Sequence, residues 1–347
     1  EISAFEVARV KNPAIFERDT REGEMKHAAT KVAVGMSGGV DSSAVAALLV
    51  DQGFEVVGFT ARMWAGAPEE DIQRARQAAS FLGIRHHVLD ATHYFQRMVL
   101  EPFLAEYYSG RTPSPCIVCN QHVKFGHLMM QAQRLGCSHL ATGHYARLEH
   151  SDEGWRLFRA RDPQKDQSYF LHRLSQEQLA CVMFPLHDRL KEEVRQYVAA
   201  RGLPVVFRGE SQDLCFLPNG DYASLLEKHF PEIRRKGRIL DTSGRLLGEH
   251  PGFYRYTIGQ REGLGVAAAE RLYVRELIPG RNEVVLGRRE EVMSAGCLLD
   301  DVHWIAAEPA PGDACRVQLR YRHAGASAAN KKLESGGLRV MFEERQF

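Results

Sequence analysis

The chain has 347 residues, a formal net charge of +1 and seven cysteines. Such a length holds two or three domains with an ample core, and no apolar run approaches the ~18 residues that cross a membrane. Near-neutral charge gives no ground to infer a nucleic-acid partner, which would have to rest on local patches, and an odd number of scattered cysteines argues against a disulfide framework and for a reducing, cytoplasmic setting.

Residues 1–30 read as a charged N-terminal extension without the apolar stretch of a signal peptide. From 31 to about 146, strand-like runs at 31–34, 55–61, 85–89 and 139–143 alternate with helical runs at 42–52, 69–82, 94–107 and 121–135. This alternation predicts an α/β fold with a doubly wound parallel sheet. A hairpin is expected around Ser151-Asp152-Glu153-Gly154, with helices at 175–182 and 189–201. After Arg208, short β-like runs take over at 237–240, 254–258, 272–277, 283–286, 316–321 and 338–342. The chain thus divides into the extension (1–30), a catalytic α/β domain (31–208), a small central domain (209–271) and a C-terminal β-barrel (272–347).

The most informative stretch is Gly35-Met36-Ser37-Gly38-Gly39-Val40-Asp41-Ser42-Ser43, between the first strand and the first helix. Unpaired amides at a helix start and the positive dipole end converge there into an anion site. Gly38 and Gly39 can take positive φ and let a phosphate approach, and Ser37 and Ser42 add hydroxyl donors. Asp41 suits such a site if Mg²⁺ stands between it and the phosphates. The spacing is not that of a Walker loop, which needs a lysine this segment lacks. It resembles the pyrophosphate loop of ATP pyrophosphatases, which cleave ATP between its α and β phosphates and adenylate a carbonyl oxygen.

Thr112-Pro113-Ser114-Pro115-Cys116-Ile117-Val118-Cys119-Asn120 reads as a loop, because two prolines disfavour a helix, with Asn120 as N-cap of the helix that follows. Cys119 at a helix start is expected to have a lowered pKa. Cys215 lies in a second loop, 211–216, while Cys137, Cys181, Cys297 and Cys315 sit in apolar contexts that suit small buried side chains. The run Arg234-Arg235-Lys236-Gly237-Arg238 is either a solvated face or an RNA patch.

From Lys31 onward the chain resembles the tRNA-specific 2-thiouridylase family. The stretches that carry the resemblance are 35–43, 112–126, Ala141-Thr142-Gly143-His144-Tyr145, 165–169, 211–216, 220–222, 257–265 and 320–323. The resemblance implies that the wobble uridine of tRNA is converted to 2-thiouridine with ATP as cosubstrate. It implies that Gly35, Met36, Ser37, Gly38, Gly39, Val40, Asp41 and Ser42 hold ATP phosphates and that Ala61 and Gly143 lie at the nucleotide. His144, Lys165, Asp166, Gln167, Arg320 and Tyr321 match positions that touch tRNA. Cys119 matches the nucleophile and Cys215 the cysteine that carries a persulfide.

The sequence departs from the family where an acidic residue usually precedes the nucleophile by three positions: here Cys116 stands there, giving Cys-x-x-Cys. Cys116, Cys119 and Cys215 resemble the set with which related thiolases hold a 4Fe–4S cluster. Sulfur is expected from free sulfide through that cluster, or from a carrier or cysteine desulfurase through a cysteine persulfide. The glycine-rich tail usual in the family, with a further tRNA contact, is not found before Phe347. A small-molecule adenylating synthetase would share the loop but not the cysteines, and a non-catalytic tRNA- or nucleotide-binding protein would need neither cysteine.

Overall fold

The computed structural model describes residues 30–207, 214–217, 220–332 and 337–347. The extension up to residue 29 and Ser211–Asp213 of the second cysteine loop lie outside the described residues. The first unit contains β1 (Lys31–Gly35), β2 (Glu55–Arg62), β3 (Arg85–Asp90), β4 (His139–Ala141), β5 (Arg147–Ser151), β6 (Gly154–Phe158) and β7 (Val182–Met183). Five of these form a parallel sheet in the order β3-β2-β1-β4-β7. The pair β5 and β6 is the expected hairpin.

Alternation along β1 explains the layering. Val32 and Val34 enter a core shared with α1 (Val40–Asp51), α2 (Glu69–Phe81) and the helix Lys191–Ala200. Ala33 points the other way, into a core with Phe125, Leu128 and Met129. Both faces are therefore covered, as a doubly wound sheet requires. The short strand β7 begins at the last residue of the helix expected over 175–182; two residues of edge strand leave no periodicity to detect.

The later chain forms two further sheets. β8 (Gly237–Asp241), β9 (Leu246–His250), β10 (Tyr273–Ile278) and β11 (Glu283–Gly287) lie in the order β10-β11-β8-β9. β12 (Ser294–Leu299), β13 (Ala314–Val317), β14 (Ala326–Lys332) and β15 (Leu338–Gln346) lie in the order β12-β15-β14-β13. The expected boundary between 271 and 272 runs through the first of these sheets: β11 pairs in parallel with β8 and antiparallel with β10. The change of sheet comes after Gly287 instead. The run at 254–258 is not a strand; Phe253–Arg255 is a 3₁₀ turn whose aromatic side chains Phe253 and Tyr254 are buried.

Candidate active site

The Gly-rich loop leaves the C-terminal end of β1 and enters α1, at the edge of the sheet where such folds bind ligands. Gly38 takes φ +75°, whereas Gly39 is extended at φ −94° and precedes the helix as its N-cap. Ser42 Oγ accepts from Ser37 N–H at 3.1 Å and lies 3.2 Å from Ser37 Oγ, drawing the loop across the helix start. The amides of Val40, Asp41 and Ser42 have no intrahelical acceptor, so with the helix dipole they are free donors of the kind that suit an anion.

Met36 is held from both sides. Its N–H donates to Phe59 O at 2.7 Å, and its carbonyl accepts from Thr60 Oγ1 at 2.7 Å. The threonine's one proton is then used, so His86 Nε2, at 2.9 Å, is the donor to Oγ1. Burial, helped by the Arg76 charge, holds His86 down to about 4, so its ring is neutral. Gly143 closes the far side: a β-carbon there would stand 2.9 Å from Asp41 Cβ and 3.1 Å from Ser42 N. Ala61, near the end of β2, packs with Met63 beside the cysteine helix.

Asp41 is engaged. Its Oδ2 accepts from Lys191 Nζ at 2.5 Å and its Oδ1 from Tyr145 OH at 2.9 Å. Lys191 opens the helix Lys191–Ala200, 150 residues further along the chain. Sequence reading missed it, because only a position at the start of an amphipathic helix marked it. One carboxylate beside a phosphate site fits Mg²⁺, which takes one or two carboxylates and completes its shell with phosphate oxygens and water.

The cysteine loop is a helix. Ser114 is the N-cap, Pro115 occupies the first turn, and helical geometry runs through Arg134. Proline stops a helix from inside but suits its first position, where its missing N–H costs nothing. Asn120 is therefore not an N-cap: it is buried inside the helix, and its Nδ2 donates to Phe170 O at 3.0 Å. Nor is Cys119 at a helix start. It is 7% exposed, and burial pushes its thiol up to about 12, against the pull of the Lys124 ammonium. The expectation of a lowered pKa fails because Cys119 is not at a helix start and desolvation outweighs the Lys124 charge.

Residues 119–128 are π-helical, so Lys124, five positions on, shares a face with Cys119. Lys124 favours the thiolates of Cys116, Cys119 and Cys215 alike, while desolvation raises all three, although the Cys215 side chain is exposed and that of Cys119 buried. Phe216, the residue after Cys215, packs against the cluster that holds Cys119, so the two cysteine segments meet here, next to Met63 Sδ at 3.9 Å. Phe216 delivers Cys215: its ring packs edge-on to Phe95 at 5.4 Å and Phe103 at 5.3 Å. All seven cysteines are free. Among the described residues no three His, Cys, Asp or Glu side chains are placed to hold a single metal ion.

The residues matched to tRNA contacts divide. Tyr321 is 38% exposed and Arg320 is exposed, with Nη1 donating to Phe347 O. Asp166 instead braces its own segment, accepting from Ala160 N and Ser168 Oγ at 2.9 and 2.8 Å. Gln167 clamps Tyr145 through two backbone-directed bonds, and Lys165 caps a turn on Asp162 O. His144 is buried between Thr142 Oγ1 at 2.7 Å and Lys124 Nζ at 3.4 Å, and desolvation keeps it neutral. The basic run at 234–238 is paired with acids: Arg234 with Glu227, Lys236 with Glu249 and Arg238 with Glu283.

Residues 30–219 match the family described as tRNA methyl transferase HUP domain, and residues 223–288 that described as tRNA methyl transferase PRC-barrel domain. The chain is 46% identical over 322 residues to a tRNA-specific 2-thiouridylase MnmA of Pelobacter propionicus, covering 90% of each. It is 43% identical to the protein of that name in Geobacter metallireducens, covering 90% of this chain and 89% of the relative. With that of Acidithiobacillus ferrooxidans it shares 40% identity over 91% of each.

Proposed function

Since this chain belongs to the tRNA-specific 2-thiouridylase family, we propose that it uses ATP to exchange the C2 oxygen of the tRNA wobble uridine for sulfur. The two domain descriptions speak of methyl transfer, but the relatives matched over about 90% of their length and the packing of Phe216, next to Cys215, against the cluster that holds Cys119 favour sulfur. That packing of the two cysteine segments is the observation that carries the reading.

The amides of Val40–Ser42 take the ATP phosphates, and Asp41 would hold Mg²⁺, which neutralises charge on the pyrophosphate. Uridine O2 attacks the α-phosphorus as N3 gives up its proton; the α–β bond breaks and pyrophosphate departs. AMP on O2 is now a good leaving group, where the bare oxygen was not. The target base reaches this chemistry by leaving its stack.

Sulfur arrives as a persulfide on Cys215 from a carrier or a cysteine desulfurase. The Cys119 thiolate attacks Cys215 Sγ, forming a Cys119–Cys215 disulfide and releasing hydrosulfide. Hydrosulfide adds to C2, AMP leaves with the C–O electron pair, and the remaining proton passes to N3. An external thiol then reduces the disulfide. Burial keeps Cys119 a thiol at rest, and Lys124 is the cation that stabilises its thiolate when it forms.

Pyrophosphate release that requires added tRNA is the first test; release driven by a small molecule alone would point to an amide-forming synthetase instead. In the persulfide route Cys119→Ala and Cys215→Ala abolish thiolation while Cys116→Ala retains it. Loss of activity in all three variants, with about four irons per chain after anaerobic purification and activity from free sulfide, would establish the cluster instead.

A further inference from the structure

We propose that Gln178 is a positioning residue for the sulfur-transfer step: its side-chain amide fixes the π-helical winding that sets Lys124 on the same face as Cys119. This rests on the thiolation reading and deepens it. Gln178 lies in the short helix Gln176–Leu179. Its Nε2 donates to Gln121 O at 2.7 Å and to Phe125 O at 3.0 Å, and both carbonyls belong to the π-helical stretch that begins at Cys119. The amide has one orientation. Its Oε1 accepts from Ser175 N at 3.0 Å, and since a backbone N–H needs an acceptor, the NH₂ group faces the two carbonyls.

This double contact selects the winding. In a regular α-helix, carbonyl oxygens four residues apart stand about 6 Å apart along the axis. One nitrogen at 2.7 and 3.0 Å from its two acceptors cannot bridge that gap. The wider π turn shortens the axial distance and brings both oxygens within reach. The five-residue ladder shows elsewhere in the same stretch. Met129 N–H reaches back to Lys124 O, and a β-carbon on Gly126 would stand 3.1 Å from Gln121 O. Gln178 therefore stabilises π winding against its α-helical alternative.

Winding decides what faces Cys119. An α-helix turns about 100° per residue, so five positions would leave Lys124 about 140° away from Cys119 around the axis. With bonds to the fifth residue each step turns less, and Lys124 comes round to the cysteine's side. There His144 Nε2 accepts from Lys124 Nζ at 3.4 Å and holds the ammonium in place. Cys119 attacks the persulfide as a thiolate, in a buried site where Lys124 is the cation that favours that charge. Relaxation of the turn would carry the cation away from the sulfur and leave the ATP loop, on another element, untouched.

The test separates the two half-reactions in the full chain, with tRNA, ATP, and cysteine plus a cysteine desulfurase as the sulfur source. In Gln178→Glu a carboxylate oxygen still accepts from Ser175 N, as in a capping box, but has no proton for Gln121 O or Phe125 O. Formation of 2-thiouridine should slow roughly ten- to a hundredfold, the loss a misplaced group causes. The rate of tRNA-dependent pyrophosphate release and the KM values for ATP and tRNA should not change, a split that general damage to the fold would not give. Gln178→Met, neutral and of similar length, should show the same split. Ser175→Ala removes the cap of the short helix but not the bonds to the π turn, so it should lower the thermal midpoint and leave the sulfur step intact. If Gln178 acts through Lys124, then Lys124→Met alone and Lys124→Met with Gln178→Glu should thiolate equally slowly. Thiolation at the wild-type rate in both Gln178 variants, an equal loss in Ser175→Ala, or fully additive losses in the double variant would overturn the assignment of Gln178 alone. A wild-type protein that forms no 2-thiouridine would instead remove the thiolation reading.

Discussion

At Gly38 the backbone takes φ +75°, and an added β-carbon would lie 2.3 Å from the Asp71 carbonyl oxygen. Both facts forbid a side chain. Gly38→Ala is expected to cost about 1–3 kcal/mol for the strained backbone alone, with more from the clash. Thermal denaturation should show this loss together with weakened ATP binding, and an unshifted midpoint would refute it. Lys191 is the complementary case. Its ammonium occupies the carboxylate to which Mg²⁺ would bind, so metal and lysine compete for Asp41. Lys191→Met should therefore lower the Mg²⁺ concentration needed for half-maximal pyrophosphate release several-fold; an unchanged Mg²⁺ titration would show that they do not compete. Gly38, Ser37 and Ser42 were legible because one contiguous motif holds them. Lys191, Tyr145 and Lys124 were not, because a partner 150, 104 or 20 residues away has no local signature.

The helical run from Pro115 shows how an element changes the chemistry of a residue whose identity was already plain. Cys119 was found by spacing, but its protonation state depends on burial, which the sequence did not reveal. Thiolate is the reactive form, so alkylation of Cys119 by iodoacetamide in ligand-free protein should keep rising with pH toward about 12. Cys215, exposed in its turn, should react faster at every pH below that. Peptide mass spectrometry after timed alkylation reads both rates, and a Cys119 rate that levels off near pH 9 would contradict the burial argument. The linkage has the same sign. The folded state holds the Cys119 proton more tightly than the unfolded chain, so this contribution is complete below pH 9 and declines as pH rises from 9 towards 12.

Across the whole molecule, the boundary drawn by composition and the boundary drawn by packing differ. Periodicity located the parallel sheet and β8, β10, β11 and β15, but not β9, β12 and β14, nor which later strands pair, since β8 and β11 meet only through tertiary contacts. The central core is likewise shared. Phe103, Leu104 and Tyr107, from a helix of the first unit, are buried with Leu226, Ile239, Val274, Val284 and Leu286 of the next. Stacked Tyr107 and Tyr222 rings, 4.4 Å apart, span the same junction. Two units joined through one core lose it together, so they should unfold in a single transition rather than two. Leu226 is fully buried in that core, and Leu226→Ala should cost about 2–5 kcal/mol. In urea denaturation followed by far-UV circular dichroism and by tryptophan fluorescence, the two probes should shift by the same amount in Leu226→Ala. Trp64 and Trp155 lie in the first unit and Trp304 after β12, so the tryptophan signal reports on parts of the molecule other than the unit of the residue replaced. A variant whose tryptophan transition stays at the wild-type midpoint while part of the circular dichroism signal moves to lower urea would show two independent cores.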